Sequence, residues 1–129
     1  MAKLTDAQLA LLRGANFAAV ATLSPAGAPQ TSIVWVDTDG ENVVFNTTNA
    51  RAKGRNLRRD ARVSVTVFDR DDPYRYFEVE GVAALELEGA NEYIHALSHK
   101  YRGKDFHSPV DRVTVKVKPT RVFDYNISD

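Results

Sequence analysis

Residues 17–36 read FAAVATLSPAGAPQTSIVWV, and the change of residue type along this stretch indicates the fold class. Small and β-branched residues make up both ends, whereas proline, glycine and serine are concentrated at 24–29. Two strand-forming segments on either side of a turn-forming segment are typical of an antiparallel hairpin. We therefore expect strands at 17–23 and 31–36 that pair with each other.

Strand patterns continue along the rest of the chain. The Asp39-Gly40 pair predicts a second turn, after which the next strand would complete a three-stranded meander. Gly81 lies inside a long strand segment and indicates a bulge or bend, and Pro119 predicts a break between the last two strands. The strands expected after the hairpin are 42–46, 63–68, 76–87, 113–118 and 121–125.

Three short helices are expected at 6–13, 50–60 and 89–101. Thr5 and Gln8 have the spacing of a capping box at the start of the first helix, and Asn49 would cap the second. The sequence thus predicts a mainly β protein with six to seven antiparallel strands and two or three short helices. Because closing or half-closing such a sheet removes its exposed edges, a small barrel is the expected architecture.

The composition narrows the classes of function. A length of 129 residues with 43% hydrophobic residues fits one domain over 1–129 with a single core. Basic and acidic residues both number 17, so neither nucleic acid nor a membrane surface is expected as a partner. The chain has no cysteine, which excludes disulfides and thiolate catalysis. With no signal-peptide pattern and no spanning segment, a cytoplasmic location is expected.

The segment 47–53, TTNARAK, has the features of a phosphate-binding site. Thr47 and Thr48 bring hydroxyls to the end of a strand, and Asn49 would cap the helix that follows. Arg51 and Lys53 lie in the expected first turn, where the helix dipole otherwise disfavours cations. These residues taken alone are explained as well by the solvated basic face of a surface helix.

Other chemistries have weaker support in the sequence. The five basic residues within 51–59 could contact nucleic acid, but no aromatic residues are interleaved with them. His95 and His99 have the i, i+4 spacing of a metal-binding pair, yet no motif supplies a third ligand, so no metal site is expected. There is no nucleophile elbow, Walker loop or dinucleotide-binding glycine motif, and no catalytic residue is assigned.

Four segments carry a resemblance to a known family: PQTSIVWV at 29–36, VFNTTNARAK at 44–53, NLRRDARV at 56–63 and FEVEG at 77–81. Together they resemble the pyridoxamine 5'-phosphate oxidase-like split-barrel family. They are more closely similar to its deazaflavin branch, the coenzyme F420-dependent reductases. The resemblance extends from the first helix to the last strands. The chain lacks the basic C-terminal signature of the true pyridoxamine phosphate oxidases, so activity on vitamin B6 is not expected.

The resemblance implies a homodimer of split β-barrels with a cofactor site at the subunit interface. The cofactor would be coenzyme F420 or, alternatively, FMN, and the reaction a hydride transfer between the deazaflavin and an unsaturated small-molecule substrate. An FMN-binding flavoprotein and a non-catalytic cofactor carrier are the alternatives. Arg51 and Lys53 would bind the cofactor phosphate, and Tyr74 of the other subunit would cover the ring. The other residues implied in cofactor binding are Thr31, Ser32, Thr47, Thr48 and Asn49.

Overall fold

The computed structural model describes residues 2–107 and 110–127, and within these ranges it contains seven strands and three helices. The strands are β1 (Phe17–Leu23), β2 (Pro29–Trp35), β3 (Asp37–Thr38), β4 (Val43–Thr48), β5 (Arg62–Phe68), β6 (Tyr76–Glu86) and β7 (Arg112–Tyr125). The helices are α1 (Asp6–Arg13), α2 (Ala52–Arg59) and α3 (Ala90–Arg102). None of these helices, in the described part of the chain, is long and apolar enough to cross a membrane.

The strands form one antiparallel sheet in the order β2-β1-β5-β6-β7-β4-β3, curled into a half-barrel. The prediction of a mainly β split barrel is therefore confirmed for the subunit. The expected hairpin is also confirmed, because β1 pairs with β2 from Phe17 opposite Trp35 to Leu23 opposite Pro29. At the start of α1, Thr5 and Gln8 form the expected capping box.

The predicted three-stranded meander is wrong. After β2 the chain passes to the other end of the sheet, where the two residues of β3 pair with β4. The long partner of β4 is β7, with Asn46 opposite Thr114. All six residues of β4 are buried, so other elements must cover both faces of the strand. An edge position beside β2 would leave β4 without this cover. The Asp39-Gly40 turn therefore connects β3 to β4, which pair with each other over only two residues.

The predicted break at Pro119 is also wrong, since β7 runs through it without interruption. Pro119 lies opposite Gly81, at the register shift between Glu80 and Gly81. The expected bulge at Gly81 is thus confirmed, and the same bulge explains why the proline is tolerated. A bulge interrupts the hydrogen-bond ladder locally, so a residue without a backbone N–H costs little there.

The core lies inside the half-barrel and consists mainly of residues that alternate along the strands. Val63, Val65 and Val67 of β5 point inward, as their spacing predicts, and pack with residues of the neighbouring strands. Phe45 of β4 and Phe77 of β6 are fully buried in the same cluster. The side chains at the even-numbered positions of β4 consequently face the opposite side of the sheet.

Helix α2 packs closely against the end of β4, and Gly54 makes this approach possible. A Cβ atom at Gly54 would overlap the carbonyl oxygen of Thr48 and lie 3.1 Å from its carbonyl carbon and 3.3 Å from Cα of Asn49. All these neighbours are backbone atoms, which cannot rotate away. Glycine is unfavourable inside a helix by itself, so its presence here indicates a packing requirement.

We expect Gly54→Ala to lower the free energy of unfolding by about 1–3 kcal/mol, the usual cost of overpacking. Without the overlap, the higher helix propensity of alanine would instead raise it by about 1 kcal/mol. Chemical denaturation followed by circular dichroism measures the difference. Gly14→Ala is the comparison variant and should cost less stability, because the nearest atom to a Cβ there is a side-chain atom, Nδ2 of Asn16 at 2.8 Å, which can shift by giving up its hydrogen bond to the Leu11 carbonyl. Unchanged or increased stability of Gly54→Ala would contradict the packing argument.

Candidate functional site

A pocket of about 240 Å³ lies between β2, α3 and the ends of β4 and β7. Its apolar lining comes from the start of β1, the end of β2, the middle of α3 and the segment after α3. Its polar lining is mostly cationic and lies near the start of α2. The polar lining residues are Asn46, Arg51, Lys53 and Arg112.

The start of α2 differs from the sequence-based expectation. The helix begins at Ala52, and Arg51 occupies the N-cap position with extended backbone angles of φ −76° and ψ 154°. The prediction that Asn49 caps the helix is wrong, because Thr48 accepts a backbone hydrogen bond from Arg51 (3.3 Å) in a turn that precedes the helix. Within α2 and its cap, all of which are described, no side chain caps the first turn and no acidic residue lies in it. The positive end of the helix is therefore left without a negative partner from α2 itself.

Arg112 adds a third cation that the sequence analysis missed. It is the first residue of β7 and lies opposite Thr48, the last residue of β4. Its side chain is only 7% exposed, and its guanidinium lies over the Phe106 ring at 5.2 Å from the centroid. Nothing in the local sequence marks this arginine, because its role depends on a strand pairing with a segment 64 positions earlier. Arg51, Lys53 and Arg112 are called the cationic cluster below.

Asn46 holds Arg112 in position. Its side-chain oxygen accepts a hydrogen bond from Nε of Arg112 at 2.5 Å, and its Nδ2 donates to the carbonyl oxygen of Ala90 at 2.8 Å. Asn46 is itself buried, so these bonds satisfy an amide that would otherwise be costly to bury. One side chain in the pocket lining thus connects β4, β7 and the first residue of α3.

The members of the cationic cluster disfavour one another's charge. Burial lowers the pKa of Lys53 below its usual value, and the charges of Arg51 and Arg112 lower it further. Burial and the Arg51 charge likewise lower the pKa of Arg112. Among the described residues, none of the ion pairs includes a member of the cluster. Desolvated cations without a counter-ion are unfavourable, and an anion in the pocket would relieve the repulsion.

On the apolar side of the pocket, Trp35 contacts two further aromatic residues, Tyr101 and Phe106, and the three are called the aromatic wall below. Trp35 stacks on Tyr101 with centroids 5.3 Å apart and planes at 12°, and Phe106 meets Trp35 edge-on at 6.5 Å. The Tyr101 hydroxyl accepts a hydrogen bond from the backbone N–H of Val36 at 3.0 Å, and burial raises the pKa of this tyrosine to about 12. These contacts hold Trp35 in place, and Trp35 and Phe106 give the pocket an aromatic lining.

The structure brings together only part of the predicted binding set. Arg51 and Lys53 line the pocket, and Ile33, Val34 and Trp35, which directly follow Thr31 and Ser32 in β2, line it as well. The six predicted residues outside the lining are Thr31, Ser32, Thr47, Thr48, Asn49 and Tyr74.

Three of these six, Thr47, Thr48 and Tyr74, have environments that bear on their predicted roles. Because side chains alternate along β4, Thr48 lies on the same face of the strand as Asn46, and Thr47 lies on the same face as Phe45. The Thr47 hydroxyl is buried and has no hydrogen-bond partner among the described residues. Tyr74 is 81% exposed in the loop between β5 and β6. The roles of all six residues in cofactor binding remain predictions.

Comparison with known proteins identifies the family. A model of the pyridoxamine 5'-phosphate oxidase family matches residues 4–126. The chain belongs to this family. Among solved structures of similar fold is an F420 reductase, 31% identical in sequence with a TM-score of 0.82 over 93% of this chain and 98% of that one. The resemblance of the sequence to this family and to its F420 reductase branch is thereby confirmed.

Less similar solved structures share the fold. A conserved hypothetical protein of Mycobacterium tuberculosis is 24% identical with a TM-score of 0.74, over 95% of this chain and 84% of its own. General stress protein 26 of Bacillus anthracis is 18% identical with a TM-score of 0.73, over 95% and 93% of the two chains. At these identities the likeness concerns the architecture alone.

We expect inorganic phosphate to stabilise the wild-type chain by about 1.4 kcal/mol at ten times its Kd, through binding to the folded state. Lys53→Gln should lose most of this gain, while its stability without phosphate should be equal to or above that of the wild type. The sign follows from the lowered pKa of Lys53, because a cation disfavoured by folding costs stability at neutral pH. Thermal melts in phosphate and in chloride of equal ionic strength measure the effect.

Lys118→Gln is the control for this experiment, since Lys118 is an exposed lysine of β7 outside the pocket. It should respond to phosphate as the wild type does. Equal stabilisation of Lys53→Gln and the wild type would contradict the assignment of the cationic cluster as an anion site.

Proposed function

We propose that the chain is a coenzyme F420-dependent oxidoreductase that transfers a hydride between the deazaflavin and an unsaturated small-molecule substrate. The observation that carries the proposal is the cationic cluster, which lacks a carboxylate partner among the described residues and stands beside an aromatic wall. A phosphate-bearing cofactor with a flat ring matches both halves of this pocket. The 31% identity to an F420 reductase over nearly the whole chain supports this choice of cofactor.

The residues present fit the phosphate of such a cofactor. Arg51 and Arg112 supply guanidinium groups that can bind phosphate oxygens in pairs, and Lys53 adds a compact charge in the same pocket. The uncapped start of α2 adds backbone N–H donors at the same end of the pocket. In the proposal, Thr48 and Asn49 complete this phosphate region together with the backbone of Thr47, whose side chain lies on the opposite face of β4.

The ring of the cofactor is assigned to the aromatic wall. Ile33 and Trp35 would contact it from β2, together with the preceding Thr31 and Ser32. The contacts of Trp35 with Tyr101 and Phe106 keep this surface in place before binding, which reduces the entropy lost when the ring is ordered.

When bound, a deazaflavin supplies hydride-transfer chemistry, and the protein contributes binding, orientation and exclusion of water. The described residues that line the pocket include no aspartate, glutamate or histidine. Because no ordinary acid or base faces the ring region, we assign the accompanying proton to solvent and name no catalytic side chain.

We further propose that the active unit is a homodimer in which the partner subunit closes the pocket. β2 is an edge strand of the sheet, and Ile33 on it is 60% exposed although it lines the pocket. The exposed Tyr74 of the partner subunit would cover the cofactor ring. Sedimentation equilibrium that gave only the monomer mass at micromolar concentrations would contradict this part of the proposal.

We expect the wild-type chain to bind coenzyme F420 more tightly than FMN in parallel fluorescence titrations. Lys53→Ala should weaken F420 binding by about 1.5–3 kcal/mol, the range for a lost hydrogen bond to a charged group. Lys118→Ala, outside the pocket, should bind as the wild type does. Unchanged affinity of Lys53→Ala would contradict the phosphate assignment.

The same experiment separates the alternative functions. Binding of FMN alone would indicate an FMN-dependent flavoprotein of the same fold. If F420 binds but its reduced form is not oxidised by a panel of enones, quinones and imines, the protein is a cofactor carrier. Substrate-dependent oxidation of reduced F420 is the result that the proposal predicts.

A further inference from the structure

The three histidines of the chain, His95, His99 and His107, gather around one carboxylate on the outer side of α3. His95 and His99 lie one turn apart on the helix, with ring centroids 4.8 Å apart. Asp105 comes from the segment after the helix and reaches back to both of them. The sequence supplied the histidine pair without a third ligand, and the fold places Asp105 in that position.

The turn at the end of α3 brings Asp105 back to the helix. Gly103 has a φ of 68°, a left-handed conformation that lets the chain reverse directly after the last helical turn. Ser98 then donates from its hydroxyl to the carbonyl oxygen of Lys104 at 2.6 Å, and Arg102 donates to the Asp105 carbonyl at 3.3 Å. These two hydrogen bonds hold the backbone at Lys104 and Asp105 against α3 and thereby keep the Asp105 carboxylate near the histidines.

We propose that His95, His99 and Asp105 form a binding site for a divalent transition-metal ion of the imidazole-preferring class, with Zn²⁺ as its probe. Nε2 of His99 and Nε2 of His95 lie 2.6 Å and 3.4 Å from the same carboxylate oxygen. The ligand atoms of the three residues all lie within 4.8 Å of one another. Donor atoms of a tetrahedral zinc site are roughly 3.3 Å apart, given bonds of about 2.0–2.1 Å. Small side-chain rotations would open this cluster around an ion.

The donor set and its surroundings suit zinc. Two neutral imidazoles and one carboxylate are common ligands of Zn²⁺, and the fourth position is left for water or a further residue. The ring of His107 lies 6.5 Å from that of His95, near enough to take this position after a movement of its side chain. The side chains of His95, His99 and Asp105 are 42%, 49% and 56% exposed, so an ion can enter and the rings can turn.

A metal at this site would act on the neighbouring pocket. Phe106 follows Asp105 directly and lines the pocket, where it meets Trp35 edge-on. An ion that draws Asp105 towards His95 and His99 would shift the adjoining Phe106 relative to Trp35 and so change the surroundings of the Trp35 ring. Because Trp35 is the single tryptophan of the chain, its fluorescence reports this change.

The test uses the untagged chain of 129 residues, freed of metal with a chelator. Zn²⁺ is titrated by calorimetry and by Trp35 fluorescence into the wild type, His99→Gln and Asp105→Asn. We expect one ion per chain, a change of Trp35 fluorescence that saturates with it, and affinity at least about tenfold weaker for each variant. Asp111→Asn removes an exposed carboxylate outside the cluster and should bind as the wild type does.

Asp105→Asn is the decisive variant, because a surface histidine pair alone binds metals without it. Equal affinity of Asp105→Asn and the wild type would overturn the proposed site. So would the absence of saturable binding to the wild type below about 1 mM, a concentration at which a three-ligand site is filled. Circular dichroism establishes that each variant is folded, so that a lost affinity reports the ligand and not the fold.

Discussion

The antiparallel pairing of β4 with β7 is the constraint on which the candidate site depends. It places Arg112 opposite Thr48, beside the segment that leads into α2. It also puts Asn46 within hydrogen-bond distance of the Arg112 side chain. Without this pairing, Arg51 and Lys53 would be ordinary basic residues at the start of a surface helix. The close contact of Gly54 with the end of β4 then fixes the helix start against the same strand.

The cationic cluster destabilises the folded state, and the rest of the fold offsets this loss of stability. Burial lowers the pKa values of Lys53 and Arg112, and the repulsion between like charges lowers them further. The valine-rich core and the long β6–β7 ladder provide stability that does not depend on the pocket. The cluster is unfavourable in the free chain and becomes favourable when an anion binds. This is expected of a binding site that was selected for affinity.

The regular parts of the fold could be predicted from the sequence because they follow local rules. The alternation of Val63, Val65 and Val67 and the proline- and glycine-rich turn at 24–29 correctly indicated strands and a hairpin. The predictions of a meander and of a break at Pro119 were wrong because pairing partners and bulges depend on contacts between distant segments. The predicted cap at Asn49 was wrong because a turn from Thr48 to Arg51 delays the helix start by two residues relative to the expected start at 50.

The same distinction applies to the candidate site. The sequence predicts Arg51 and Lys53 as binding residues because they share a short segment with hydroxyl residues and a helix start. Arg112 and Asn46 were missed because their contact joins positions 66 residues apart. A signal for Asn46 exists in hindsight: a polar residue within a strand that is buried on both faces needs a specific partner. Arg112 has no comparable local signal.

The pKa of the Lys53 ε-amino group, measured by NMR on lysine-labelled protein with and without saturating phosphate, tests the central claim most directly. In the free chain, burial and the two neighbouring arginines should hold this pKa below the ordinary lysine value of 10.5. A bound anion favours the charged form, so phosphate should raise the pKa of Lys53. A pKa at the ordinary value that does not move with phosphate would contradict the account of the cationic cluster as an anion-binding site.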